Sequence, residues 1–499
     1  MKGRFTGIAL AAMLGGAAAA DDYSLTVYSS AEPGAIAPER YRPVPGRPMP
    51  DMGGDLPGYA MVRQDRTMEL DQGRSQVRFT DVAALIDPTT VTFRSLTDPE
   101  GTHVIEQGFR FDLVGADKLL ERYIGREITV EQFHGESAER TRGELLGTSG
   151  GLILRQQDGS VSTMRDYDNV RFPELPGGLI TRPTLEWDVS AEQGGEHETR
   201  VAYQTGGMTW WADYNATYSE ADGCSLDVTA WVSLINQSGA SYPGAKLKLV
   251  AGDVHRAEQP GRPRLHEMAV RTAEADTAGF EEKAFFEYHL YTLGRPTDLP
   301  DNATKQLELF EPALGVTCRK ELVYEASGRI GGYGRPATDP GYGQTGNTDV
   351  NVFLRFNNSE DAGLGVPLPA GRVRVNQIDS ADDSLEFIGE DTIDHTPKNE
   401  EVLIRMGNAF DVVGERKQTD FRVDSAAKEM EESFEIAIRN HKEVAAEIIV
   451  REHLYRWSNW EITQANADWE KQDSRTVHFP VEVPPGGEQI VRYTVRYTW

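Results

Sequence analysis

The chain has 499 residues, a formal net charge of −28 at pH 7, and only two cysteines. That length exceeds what one hydrophobic core serves, so about two to four domains are expected. The acidic surplus repels phosphate backbones and anionic headgroups, which argues against nucleic acid as a partner.

Residues 1–20, "MKGRFTGIALAAMLGGAAAA", have the parts of a secretory leader. Lys2 and Arg4 supply the positive end, a short apolar run follows, and the alanine triplet offers a cleavage site after Ala20. Removing Lys2 and Arg4 with the leader takes the net charge from −28 to −30. No later run approaches the roughly 20 apolar residues of a membrane-spanning helix. The expected protein is exported, to the periplasm or outer cell envelope of a bacterium.

Residues 21–57 hold a first strand, "SLTVY", and then a Pro/Gly-rich connector. Residues 58–190 string short strands between glycines, a spacing that suits a small β-barrel or sandwich domain. Helical periodicity is scarce: "ADKLLERY" at 116–123 predicts two turns, and "AAKEMEE" at 426–432 is the other candidate. "GTSGG" at 147–151 resembles the glycine-flanked serine of trypsin-like proteases. A nucleophilic Ser149 needs a histidine base and a carboxylate, and neither His103 nor His134 stands in the matching local context. A glycine hairpin is the simpler reading. The acidic turns at 165–169 and 379–383 could hold calcium, but they follow no calcium-loop template, and short acidic turns are usually just solvated. No cofactor fingerprint is present, and the histidines have no zinc spacing.

Residues 196–424 read as a central β-sandwich region with a Gly-rich loop at 331–347. "WVSLIN", "KLKLVAGDV" and "GRVRVNQID" alternate with the period of half-buried antiparallel strands. In "TWWADYNATY", Trp210 and Trp211 point to opposite sheet faces, so at most one is core on a one-sided sheet. The other, with Asp213 and Tyr214, serves either a domain interface or a platform for sugar or protein. Tyr333 and Tyr342 of the Gly-rich loop are further candidate contacts, and the loop itself is expected to be exposed and mobile. Cys224 and Cys318 either form a disulfide or stand as separate thiols, since spacing alone does not decide between them.

Residues 425–499 read as an immunoglobulin-like β-sandwich. "SLINQSG", "LRFNNSE" and "IAIRNHKE" each end a strand with asparagine and a polar turn, a weak repeat that suits sequential sandwich units. The β-branched run in "AAEIIVREH" makes that segment a strand although its Ala and Glu favour helix. Glu452 then follows Ile448 and Val450 into the core, where an unpaired carboxylate is expensive. Arg439, from a neighbouring strand, or Arg456 is its expected partner, with Trp457 and Trp460 available for guanidinium stacking or for binding.

The strings "YQTGGMTWWADYNATY", "GVPLPAGRVRV", "FIGEDTIDHTPKNEEVLIRMGNAFDVVGERK" and "EHLYRWSNWEI" resemble a bacterial domain-of-unknown-function family. The C-terminal β domain of that family is shared with mucoidy-inhibitor-A-type proteins. The resemblance covers roughly residues 196–499 and implies an exported β-rich envelope protein, with no catalytic residues to carry over. The expected fold is all-β: an N-terminal small β-barrel or sandwich region, then immunoglobulin-like β-sandwich modules, with little helix. The expected function is a non-enzymatic scaffold or binding module with a protein or glycan partner. The alternative is a hydrolase of envelope polymer or peptide in which folding brings Asp213 and Glu452 together.

Overall fold

The computed structural model describes residues 22–28, 36, 56–80, 82–134, 137–220, 223–252, 280–285, 288–325, 334–343, 346–379 and 381–499. The leader, most of the connector and Tyr333 lie outside them. The described chain is almost entirely β, in open sheets of thirteen, eight, five and three strands. Its single helix is Ala116–Arg122.

Alternation produces the layers. In Glu429–Asn440, Met430, Glu432, Phe434, Ile436, Ile438 and Asn440 are buried, and the residues between them are not. Two large cores result. The central one lies between the eight-stranded sheet and the first strands of the thirteen-stranded sheet, around Leu25, Tyr203, Trp210, Tyr214 and Leu249. The second, around Tyr324, Phe434, Val450, Phe479 and Tyr497, fills the C-terminal sandwich.

The weak asparagine repeat marks a threefold structural repeat. Strands Ser225–Asn236, Asp349–Asn357 and Glu429–Asn440 lead to the buried Asn236, Asn358 and Asn440. The next strand each time, Tyr242–Ala251, Gly371–Ile378 or Ala446–His453, pairs in parallel with a strand from earlier in the chain. A proline turn then reverses the chain into Ala303–Tyr324, Glu401–Asp424 or Glu488–Thr498, antiparallel to the asparagine strand. Each asparagine amide joins these parts. Asn236 donates to the carbonyls of Ala240, Leu299 and Pro300; Asn358 to those of Val366 and Pro397; Asn440 to those of Val444, Val483 and Pro484. Two residues past Pro300, Pro397 and Pro484 stand Asn302, Asn399 and Gly486, all left-handed with φ of 54°, 68° and 60°. Asparagine and glycine tolerate that region best.

The units share strands rather than linkers. Ala303–Tyr324 and Glu401–Asp424, of 22 and 24 residues, each end one unit and begin the next. Cys224 and Cys318 are disulfide-bonded with Cα atoms 5.0 Å apart, at the point where Ala303–Tyr324 exchanges its first partner for Asp349–Asn357.

This architecture moves the expected boundaries. Residues 58–190 are not a separate domain, because Tyr59–Leu70 and Ile86–Ser95 both pair with Gly195–Thr205 inside the eight-stranded sheet. The part with its own small core is the helix plus an open five-stranded sheet, packed around Leu120, Tyr123, Val130, Leu145 and Leu154. That sheet does not close into a barrel. The boundary at 424/425 likewise cuts the hairpin of Glu401–Asp424 with Glu429–Asn440. Residues 426–432 are this hairpin's turn and strand start, not helix. Asp424 Oδ1 captures the amides of Ala426 and Ala427, and Lys428 is left-handed at φ 57°.

Candidate binding cleft and the buried ion pairs behind it

Strand Ala446–His453 presents Ala446, Ile448, Val450 and Glu452 to the core, and Arg451 and His453 to its other side. One alternating segment therefore supplies both a buried carboxylate and the wall of a cleft.

Glu452 is fully buried. Its partner is Arg416 of Glu401–Asp424, whose Nε donates to both carboxylate oxygens at 3.0 Å and whose second terminal nitrogen adds a 2.9 Å bond. Tyr493 donates its hydroxyl to the same carboxylate, and the guanidinium lies 3.6 Å from the centre of the Phe434 ring. Burial works against the Arg416 charge, yet the Glu452 carboxylate raises the group above its ordinary range. The partner differs from both expected ones. Arg439 sits between the inward Ile438 and Asn440, so its side chain points outward to Glu415 and Glu488. Arg456 lies past the strand end and pairs with a different acid.

That acid is Glu432, also buried, which accepts from Arg456 at 2.6 Å and from Gln418 and Tyr497 at 3.1 Å. Burial raises its carboxyl, and Arg456 opposes the rise. The Arg456 guanidinium stands 4.3 Å over the Phe421 ring. Trp457 and Trp460 stack on neither buried arginine; both pack partly buried at the edge of this core. Trp460 instead carries Lys471 over its ring at 4.6 Å.

The two arginines also hold the Gly-rich loop. Arg456 donates to the carbonyls of Ala337, Asp339 and Tyr342, and Arg416 to that of Gly343. The Ala337 amide returns a bond to the Arg456 carbonyl. Tyr342 packs edge-on against Tyr455 with ring centres 5.6 Å apart. Gly343 is left-handed, and a Cβ there would lie 2.5 Å from the Tyr455 ring. Residues 331–333 and 344–345 lie outside the described residues; over 334–343 the segment is largely exposed, as expected, but docked rather than loose: buried charges need partners, and its backbone carbonyls supply them.

On the other side of the strand lies an open cleft of about 900 Å³, lined by Glu325, Phe353, Arg451, His453, Tyr455, His478 and the turn 472–476 among others. Glu325 accepts from His453 Nε2 at 2.6 Å and from Arg451 at 3.4 Å. The His453 bond chiefly holds its carboxyl below the ordinary range, against the effect of burial. Arg451 Nε donates to His478 Nε2 at 3.0 Å. Burial, then the Arg451 charge, lowers the His478 imidazole, in keeping with a ring whose Nε2 accepts the Arg451 bond. Asp473 accepts the amides of Arg475 and Thr476, which shapes the turn, and the Ser474 carbonyl is tied to Trp460 Nε1 at 2.7 Å.

The remaining candidates are structural. Trp210 is in the central core beside Tyr291, and the Tyr214 hydroxyl donates to the Pro369 carbonyl. Trp211, on the opposite face, packs with Ile36, Leu56 and Ile235 and donates to Asp213 at 2.7 Å. Asp213 also accepts from Ser233 and Arg374. These partners lie on Met208–Ser219, Ser225–Asn236 and Gly371–Ile378, while those of Glu452 lie on Glu401–Asp424 and Glu488–Thr498; the two acids do not share a site. Ser149 occupies an exposed hairpin turn beside the left-handed Gly150 and Gly151, and His103 is exposed on a different sheet. The His134 side chain lies outside the described residues. Among the described residues no group of three or more metal-ligating side chains occurs, and no helix is long and apolar enough to cross a membrane.

Sequence reasoning missed Arg416, Glu432 and the cleft. Period-two alternation was a usable signal for the first two: Arg416 follows Val412 and Gly414 on one strand face, and Glu432 lies between Met430 and Phe434. Comparison with family models, curated proteins and solved structures gives no match.

Proposed function

We propose that the protein is an exported, non-enzymatic β-sandwich scaffold of the bacterial envelope that binds its partner in the cleft beside Arg451 and His453. One observation carries the reading. Both buried carboxylates of the C-terminal core are consumed by arginines that brace the cleft wall through Tyr455 and the 334–343 segment. Such bracing suits recognition by a preformed surface. The leader-like start and the family resemblance support export.

The test is co-sedimentation of the purified mature protein with isolated envelopes. Saturable binding that Arg475→Glu, at the exposed rim of the cleft, weakens without changing the melting temperature supports the reading. Equal binding by the variant, or none by the wild type, overturns it.

A hydrolase remains the second reading because Glu325, His453 and Thr476 stand in series. His453 Nδ1 is 3.2 Å from the Thr476 hydroxyl. The same hydroxyl, however, bonds the Asp473 carboxylate and helps keep that group ionised, as expected of a turn-capping threonine. Ester turnover abolished by Thr476→Val would favour catalysis.

A further inference from the structure

We infer that the ligand of this cleft is an uncharged glycan, an assignment that rests on the binding reading above. The walls contain two guanidinium groups, Arg451 and Arg475, and two carboxylates, Glu325 and Asp473. Both oxygens of Glu325 are occupied, by His453 and Arg451, and Asp473 is bound by the backbone of its own turn. Two guanidinium groups face two carboxylates, and His453 and His478 are each bonded within that set, to Glu325 and to Arg451, so the lining has no dominant sign and favours neither an anion nor a cation.

What the walls offer instead is a dense set of planar hydrogen-bonding groups. Arg475 and the Gln472 amide present planar sets of hydrogen-bonding groups, and Arg451 and His478, whose mutual bond fixes both planes, add their remaining N–H groups, the geometry that engages neighbouring hydroxyls on a sugar ring. Phe353 adds a half-buried ring to this polar lining, while Tyr455 backs the wall from within the protein. An aromatic face receives the C–H face of a sugar, burying apolar area while the hydroxyls reach the polar groups. A purely apolar ligand would leave those groups desolvated and unpaired.

The wall is also fixed in advance. Tyr455 is 5% exposed, wedged against Gly343 and Tyr342, and the opposite turn is tied to Trp460. Little ordering remains to be done on binding, which suits a ligand that gains modestly from each contact.

The experiment measures retention of the purified mature protein on immobilised neutral tetrasaccharides of glucose, mannose, galactose and N-acetylglucosamine, with polygalacturonate as an anionic probe. At least one neutral tetramer should bind, with affinity changing less than about twofold between roughly 50 and 500 mM salt. Phe353→Ala should weaken that binding about tenfold, the usual effect of removing an aromatic anchor, measured at a temperature where circular dichroism shows the variant folded. Binding to no neutral tetramer, equal binding by Phe353→Ala, or salt-sensitive binding to polygalacturonate alone overturns the inference. Envelope co-sedimentation separates the two readings. If Arg475→Glu still reduces co-sedimentation while every neutral tetramer fails, the glycan falls and the binding cleft stands; if both fail, both fall.

Discussion

Asn236 and Asn440 end equivalent strands, each buried and each directing its amide at three carbonyls, yet the cores beneath them are unlike. Under Asn236 the layers meet through apolar side chains, with Trp210 and Tyr214 inward and the Asp213 carboxylate kept to the outer face. Under Asn440 the same plan admits two complete ion pairs, Glu452–Arg416 and Glu432–Arg456, whose side chains are at most 2% exposed. Topology therefore does not dictate the filling. Buried pairs are weak evidence for stability, because desolvation offsets much of their attraction. Here they have a second effect, since their spare donors hold the 334–343 carbonyls.

The largest expected difference between the two cores comes from breaking one pair. Glu452→Ala strands the Arg416 guanidinium and should lower unfolding stability by about 3–5 kcal/mol in a urea melt. Glu452→Met combined with Arg416→Met should cost far less. A single variant as stable as wild type would contradict the clamp and reopen a catalytic role for Glu452. Removing the disulfide tests the junction between units: Cys224→Ser with Cys318→Ser should cost about 2–4 kcal/mol under oxidising conditions. Added reductant should erase that difference.

The corners should behave alike despite their different cores. Asn236→Ala and Asn440→Ala each unpair buried carbonyls, at about 1–3 kcal/mol. A large loss at one and none at the other would break the equivalence of the units.

The smallest effect is a pair of opposite pH slopes. Glu325 is depressed below its ordinary 4.5, so its stabilisation is complete above that value and is lost as pH falls through the folded value. The stability gap between wild type and Glu325→Gln should shrink on acidification, from about 0.5–1 kcal/mol for a part-exposed pair. Glu432 is raised from 4.5, so its protonation-linked contribution is complete below that value and is lost as pH rises through the folded one. The gap for Glu432→Gln should therefore narrow in the opposite direction. Urea midpoints taken between pH 4 and 7 distinguish the two slopes.

The all-β class and the burial of Glu452 were legible because period-two alternation is local. The asparagine repeat was legible as a turn signal, but its bonds to proline turns 39 to 64 residues away were not. Arg416 was missed for the same reason. Strand alternation says which face a side chain takes, not which strand of the facing sheet lies across from it, and Arg416 is 36 residues from Glu452. The Gly-rich loop misled because composition reports little side-chain packing, whereas its anchoring is through backbone carbonyls, which no residue identity announces.

Hydrogen exchange over 334–343 in the Glu432→Met, Arg456→Met double variant tests the central claim, that the buried pairs hold this segment and the cleft wall. That variant removes the charge pair without stranding either partner, so the sandwich should stay folded with near-native protection in Glu429–Asn440. Amides of the 334–343 segment, Ala337 first, should exchange markedly faster than in wild type. Unchanged protection of that segment in a folded double variant would contradict the claim.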